Sequence, residues 1–220
     1  MASPKNKQKV DSKYIMSEYM TYVLDHEVYP KSVYMFCKAS NIKEEEFYNF
    51  FGSLESLNKA IWTTFFTTTL ELMQKSKEYE MFSSRDKMLT LFYTFFELLS
   101  SNRSYVLFSL KYHHMPLEKL NQLKVLRPLI KEFASELIDK DNEEKLFSVT
   151  KNPVSIFSEG AYLQLLFLLK FWVDDDSVGF EKTDIAIEKS VNAIFDLFNT
   201  NLLSSVLDFG KFLWKEKAMS

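Results

Sequence analysis

One cysteine, four glycines and five prolines in 220 residues leave little with which to build disulfides or tight turns. A lone cysteine excludes an internal disulfide and fits a reducing compartment. So few turn residues exclude a many-stranded sandwich or barrel and favour long helices with short joints. Basic surplus is also missing: the net charge is −3, so bulk composition does not point to nucleic acid. The N-terminal MASPKNKQKV is polar and lacks the apolar segment of a signal peptide. The longest apolar run, residues 161–173, is interrupted by Gln164 and Lys170 and is shorter than the roughly 20 residues of a membrane span. It reads as core or subunit interface, with no membrane as partner. Glycine-rich phosphate loops are absent, and no serine has a histidine and aspartate in view. His113 and His114 are neighbours that point apart on a helix, with no further ligands at metal spacing. Asp174-Asp175-Asp176 reads as a solvated loop. Neither an enzyme, a metal site nor a cofactor is expected.

What is present is apolar residues at helical period. Met88, Leu91, Phe92, Phe95, Phe96 and Leu99 form one stripe behind a Ser83–Asp86 capping box. Ile187, Val191, Ile194, Phe195, Phe198 and Leu202 form another. Strand-like alternation is missing, so the fold class is all-α. Helices are expected near 12–25, 31–39, 43–50, 54–79, 84–100, 103–113, 117–139, 154–173, 183–199 and 201–216.

The segment SVYMFCKASNIKEEEFYNFF has the form of a helix-turn-helix. Val33, Phe36, Cys37 and Ser40 share a face of the first helix, and Cys37 is expected to be a buried, inert thiol. Asn41 suits a left-handed turn position, and Ile42 is an apolar plug. Phe47, Phe50 and Phe51 are expected to bury one face of the second helix.

Over residues 13–62 the chain resembles the TetR-type bacterial repressors. The matching residues are Ile15, Tyr22 and Val23; Ser32-Val33, Phe36-Cys37 and Ser40-Asn41-Ile42; and the more specific ending Phe47-Tyr48, Phe51, Ser53, Glu55 and Leu57. The resemblance implies a flexible basic arm at 1–12, a helix-turn-helix domain at 13–61 and a helical ligand-binding and dimerisation domain at 62–220. It implies double-stranded DNA, a small apolar or aromatic effector and a second copy as partners. The dimer would form through helices near 154–173 and 183–199, and a regulator of this kind is cytoplasmic. DNA-contacting positions would be Lys31, Lys38, Lys43, Glu44, Glu46 and Tyr48.

The chain departs from the family pattern at several of these places. Glu27 and Asn41 stand where glycine is usual, Glu18-Tyr19 where an alanine pair is, Lys43 where a serine or threonine opens the reading helix, and Leu54 where a phosphate-touching lysine is. Glu44, Glu45 and Glu46 occupy the positions that meet DNA. Residues 14–62 hold four lysines against seven acids, whereas Lys5, Lys7, Lys9 and Lys13 in the tail face only Asp11. Because phosphate contacts dominate DNA affinity, an alternative stands on the same scaffold: a ligand carrier or partner-binding protein with DNA binding lost. The acids also have a purely structural reading, since first-turn carboxylates favour the helix dipole.

Aromatics recur along residues 62–172. Each is by itself most simply core, but the resemblance implies an apolar pocket in this region. Phe92, Phe96, Tyr105, Phe108, Tyr112, Phe167 and Phe171 are its candidate lining, with Arg103, Lys111 and His113 as candidates to orient a carboxylate.

Overall fold

The structure, a computed structural model, describes residues 10–112, 120–143 and 153–199. Among them there is no strand, and helices follow one another with short joints: α1 Ser12–His26, α2 Val33–Ala39, α3 Glu44–Tyr48, α4 Leu54–Met73, α5 Ser84–Ser101, α6 Arg103–Lys111, α7 Asn121–Lys124, α8 Leu126–Glu143, α9 Val154–Val173 and α10 Glu181–Asn199. The all-α expectation holds. The helix expected at 201–216 lies outside the described residues, as do His113, His114 and Leu202.

By contacts the chain divides into two compact units. The first comprises residues 1–69 and 95–128, the second residues 70–94 and 129–220. The boundary falls inside α4, α5 and α8.

In the first unit, α1 starts on Asp11, whose carboxylate accepts the Tyr14 N–H at 2.8 Å. It buries Ile15, Tyr19 and Val23. The α2 helix starts on Ser32, whose hydroxyl accepts the Met35 N–H, and buries Phe36 and Cys37. Ile42 and Phe47 close the core of this region, with Phe36 and Phe47 rings 6.1 Å apart edge to face. Leu57, Ile61, Trp62, Phe65 and Phe66 of α4 and Tyr105, Val106 and Leu110 of α6 join the buried set.

In the second unit, α9 and α10 pack through Leu165, Leu168, Leu169 and Trp172 against Ile187, Val191 and Phe195. Phe157 meets Phe195 and Phe198 edge to face at 5.3 and 5.0 Å. The buried Gln164 donates to Ser190 Oγ at 2.8 Å, and Glu159 pairs with Lys131 at 2.7 Å. Gln164 and Glu159, polar residues of an otherwise greasy helix, therefore have protein partners, and Lys170 is exposed. α9 is nonetheless longer than the apolar run suggested: with residues 154–160 it reaches the length and composition of a membrane-crossing helix. The α5 stripe is buried throughout, and its capping box forms, with Ser83 Oγ accepting the Asp86 N–H and meeting Asp86 Oδ2 at 2.6 Å.

Three expectations need correction. The α4 helix stops at Met73, not 79: beyond it Lys75 and Ser76 donate to carbonyls three residues back. This tightening is typical of a helix that has run out of apolar contacts. The expected helix at 117–139 is broken at Val125. Pro128 lacks an N–H and its ring would clash with the carbonyl four residues back, so it is tolerated only in the first turn of α8. The Asp run is not simply solvated. Asp175 is buried and its two oxygens accept four hydrogen bonds, from the N–H and hydroxyl of Ser177 and the N–H and hydroxyl of Thr183. It organises the entry to α10.

Candidate nucleic-acid interface and ligand clefts

The turn between α2 and α3 carries the form read from the sequence. Asn41 has φ +54°, Ile42 is buried, and the Ile42 N–H donates to the Cys37 carbonyl at 2.9 Å. Glu27, just after α1, also adopts the left-handed region at φ +52°. Both places where glycine is usual in the resembling family thus keep the conformation that favours glycine, without glycine. The space that an alanine pair would leave small is filled instead. Tyr19 is buried, stacked on Tyr29 at 6.2 Å and edge-on to Phe36 at 5.6 Å.

The three glutamates divide by role. The Lys43 N–H donates to Glu46 Oε2 at 3.0 Å, so the Glu46 carboxylate caps α3 and is half-buried. Glu44 and Glu45 are exposed. So are Lys31, Lys38, Lys43 and Tyr48, the last with its ring edge against Phe47 at 5.4 Å. Lys38 Nζ stands 5.9 Å over the Tyr34 ring. Phe50 departs from expectation: it is 46 % exposed while Phe47 and Phe51 are buried. The helix ends at Tyr48, and the Phe50 N–H bonds three residues back to Phe47, which turns its side chain off the helical face. Cys37 is buried, and burial first, then Glu44 and Glu46, push its thiol up from its ordinary value. A buried thiol held above its ordinary value is a poor nucleophile.

The candidate pocket residues have different surroundings. Phe92 and Phe96 are fully packed core, Phe96 against Phe95. Tyr105, Phe108 and Tyr112 gather at Tyr29, a residue the sequence reading did not single out. Phe108 and Tyr112 meet its ring at 5.1 and 4.6 Å. Tyr105 donates its hydroxyl to Asn58 Oδ1 at 3.0 Å. Burial, with Tyr19 and Tyr29 nearby, pushes the Tyr105 phenol well up. Burial also raises Tyr29 to about 12, against the hydrogen bonds of Asn58 and Ser109 that act to lower it. Beside this cluster opens a cleft of about 390 Å³ lined by Tyr19, Tyr29, Leu54, Asn58 and Leu120, with the Glu55–Lys59 ion pair on its wall. Phe167 and Phe171 belong to the second unit, with rings 6.4 Å apart, and are 55 % and 37 % exposed. Lys111 is exposed and Arg103 half-buried.

Among the described residues no group of three or more His, Cys, Asp or Glu side chains is placed to hold a metal.

Residues 87–213 match the family model described as tetracycline repressor-like, C-terminal domain. No curated protein matches the chain in sequence. Among solved structures, it is similar in fold to a protein of Syntrophomonas wolfei assigned as a TetR-family transcriptional regulator. That likeness has a TM-score of 0.64 at 16 % identity and covers 83 % of this chain and 93 % of that one. The family match covers more than half of the residues, and the chain belongs to the TetR-type family of transcriptional regulators.

Proposed function

We propose that the protein is a one-component regulator that binds duplex DNA as a homodimer and changes that binding when a small aromatic or apolar effector enters. The observation that carries this reading is the intact turn of the head: left-handed Glu27 and Asn41, buried Ile42, and Phe36 packed on Phe47. By role the chain divides into an arm at 1–12, a head at 13–61 and the remainder from 62. Lys31, Lys38, Lys43 and Tyr48 are the backbone contacts, Glu44 faces bases, and Glu46 serves α3 itself. The arm's lysines supply the positive charge that the head lacks. The effector site is the Tyr29 cluster and its cleft, where stacked rings and the amide of Asn58 suit a flat molecule bearing a hydrogen-bonding group.

A second reading is favoured by one observation. The head exposes Tyr34, Met35, Tyr48 and Phe50 beside Glu44 and Glu45, and an aromatic, acidic surface suits a basic protein partner better than phosphates. Binding to generic duplex DNA across a salt series separates the two. A regulator binds at low salt and weakens steeply as salt rises. No binding even at low salt discards the first reading in favour of the second.

A further inference from the structure

The charges on the wall of the Tyr29 cleft are already matched. Apart from tyrosines, its ionisable wall residues are Glu55 and Lys59, and they meet each other at 2.7 Å. The hydrogen bond and charge of Lys59 hold the Glu55 carboxyl below its ordinary value. Burial raises Tyr19 and takes Tyr29 to about 12, so both phenols keep their protons near neutral pH. A ligand carboxylate entering here would compete with Glu55 for Lys59 and lose hydration against Leu54 and Leu120, which is unfavourable. A ligand cation would meet the converse problem.

The hydrogen-bonding groups on the wall are less evenly matched. Three amides stand on it, those of Asn58, Asn121 and Gln122. Asn58 Oδ1 accepts the Tyr105 hydroxyl at 3.0 Å, and Asn58 also hydrogen-bonds Tyr29. Asn121 Oδ1 accepts from Lys124 Nζ at 3.0 Å. In both, the protein engages the oxygen, so what the amide offers a ligand is its NH2 group. Gln122 is buried, and its NH2 donates to the Ser109 carbonyl at 3.0 Å. The donors on this wall are therefore those of Asn58, half-buried, and Asn121, exposed. A hydrogen bond sheltered from water discriminates between ligands more than one at an exposed rim does, which singles out Asn58.

We propose that the Tyr29 cleft selects an uncharged aromatic carbonyl compound, a ketone, ester or amide, and that the Asn58 NH2 group reads its carbonyl oxygen. The inference rests on the cleft being the effector site and names the class of effector. The ligand's ring lies against Tyr19 and Tyr29, whose planes are 15° from parallel. Its edge meets Leu54 and Leu120, and Tyr105 holds the Asn58 amide in the orientation that donates. A volume of about 390 Å³ is at the small end of the range for ligand pockets and suits a molecule of two fused rings.

Calorimetric titration of the full chain with three naphthalenes of similar shape tests this: 2-acetylnaphthalene, 2-ethylnaphthalene and 2-naphthoate. The ketone is expected to bind about 2–10-fold more tightly than the hydrocarbon, the contribution of one neutral hydrogen bond, and the carboxylate to bind most weakly. Asn58→Asp keeps an acceptor for Tyr105 and removes the NH2 group. It should erase the ketone's advantage while the hydrocarbon still binds. Leu54→Trp fills the cleft and should abolish binding of all three. Equal affinities for ketone and hydrocarbon, a carboxylate that binds most tightly, or an unchanged preference in Asn58→Asp each overturns the inference and leaves the cleft standing as the effector site. No binding of any probe, or binding undiminished in Leu54→Trp, overturns the cleft as the effector site and the inference with it. The ranking of the three probes on the native chain decides the matter if either variant fails to fold.

Discussion

At single positions the backbone states more than the residue types do. Glu27 and Asn41 both have positive φ, where an L-residue is disfavoured by about 1–2 kcal/mol and asparagine suffers least. Glycine removes that strain and gives some of it back as unfolded-chain entropy. Glu27→Gly is therefore expected to stabilise the protein by about 0.5–1 kcal/mol, and Asn41→Gly by less, read as urea midpoints. Destabilisation by Glu27→Gly would mean that its side chain makes a contact worth more than the strain. Asp175 makes the converse case, a residue whose side chain outweighs its surroundings. Burial pushes its carboxyl up, but the hydrogen bonds from Ser177 and Thr183 outweigh burial and hold it down at about 2, against an ordinary 3.8. A carboxyl lowered on folding stabilises the folded state above its unfolded value, and the contribution is lost as pH falls from about 4 through 2. At about 1.4 kcal/mol per pH unit this amounts to about 2.5 kcal/mol. Asp175→Asn should remove most of it, so the mutant and native stabilities should converge near pH 2. A constant gap down to pH 2 would show that the carboxylate's charge is not the cause. The sequence could not separate Asp175 from its two neighbours, because its acceptors' partners are set by how α10 folds back onto the loop.

At the scale of elements, α3 has five residues and is held by one cap and one buried ring, Phe47. The three glutamates that open it look alike in the sequence and differ in the fold, since only Glu46 bonds the Lys43 N–H. Glu46→Gln is expected to cost about 0.5–1 kcal/mol of stability and leave DNA affinity at fixed salt nearly unchanged. Glu44→Gln with Glu45→Gln should instead tighten binding to generic duplex several-fold at low salt, because repulsion from phosphates falls off within a Debye length. Fluorescence anisotropy with a labelled duplex measures both. Equal effects from all three residues would reject the division of roles. Most of the helices could be read from apolar period alone: the α5 stripe from Met88 to Leu99 is buried at every position named. What period could not give was where a helix stops for want of partners, as α4 does at Met73, or where one proline splits a pattern, as Pro128 does. The aromatic positions behaved the same way. Phe92, Tyr105 and Phe167 have equal claims as pocket lining in the sequence, yet one is core, one bonds Asn58 and one is exposed. Ring content marks burial or contact, and only tertiary packing decides between them.

For the whole molecule, the exposed apolar residues of α9 matter most. Ile156, Leu163, Phe167 and Phe171 recur at i, i+7, i+11 and i+15 on one helix, and Leu163 and Phe167 are 59 % and 55 % exposed. Gly160 lies on the same stripe, and a β-carbon built there meets nothing within 4 Å, so a neighbouring backbone can approach closely. Ile185 and Leu197 of α10 are also exposed. A continuous apolar stripe is unfavourable in water and is explained if a second copy covers it, as two-fold pairs of helices do. Leu163→Glu with Phe167→Glu places two carboxylates in that contact and should convert the protein to a monomer by analytical ultracentrifugation. The helical circular dichroism should be retained, because neither side chain belongs to the core of its own unit. If the regulator reading is right, the monomer also loses most of its DNA affinity, since two heads on one duplex act together and one head alone does not. The two measurements are independent. A monomer that keeps native DNA affinity would place dimerisation outside the mechanism, and a variant that stays dimeric would place the interface on a different face of the chain.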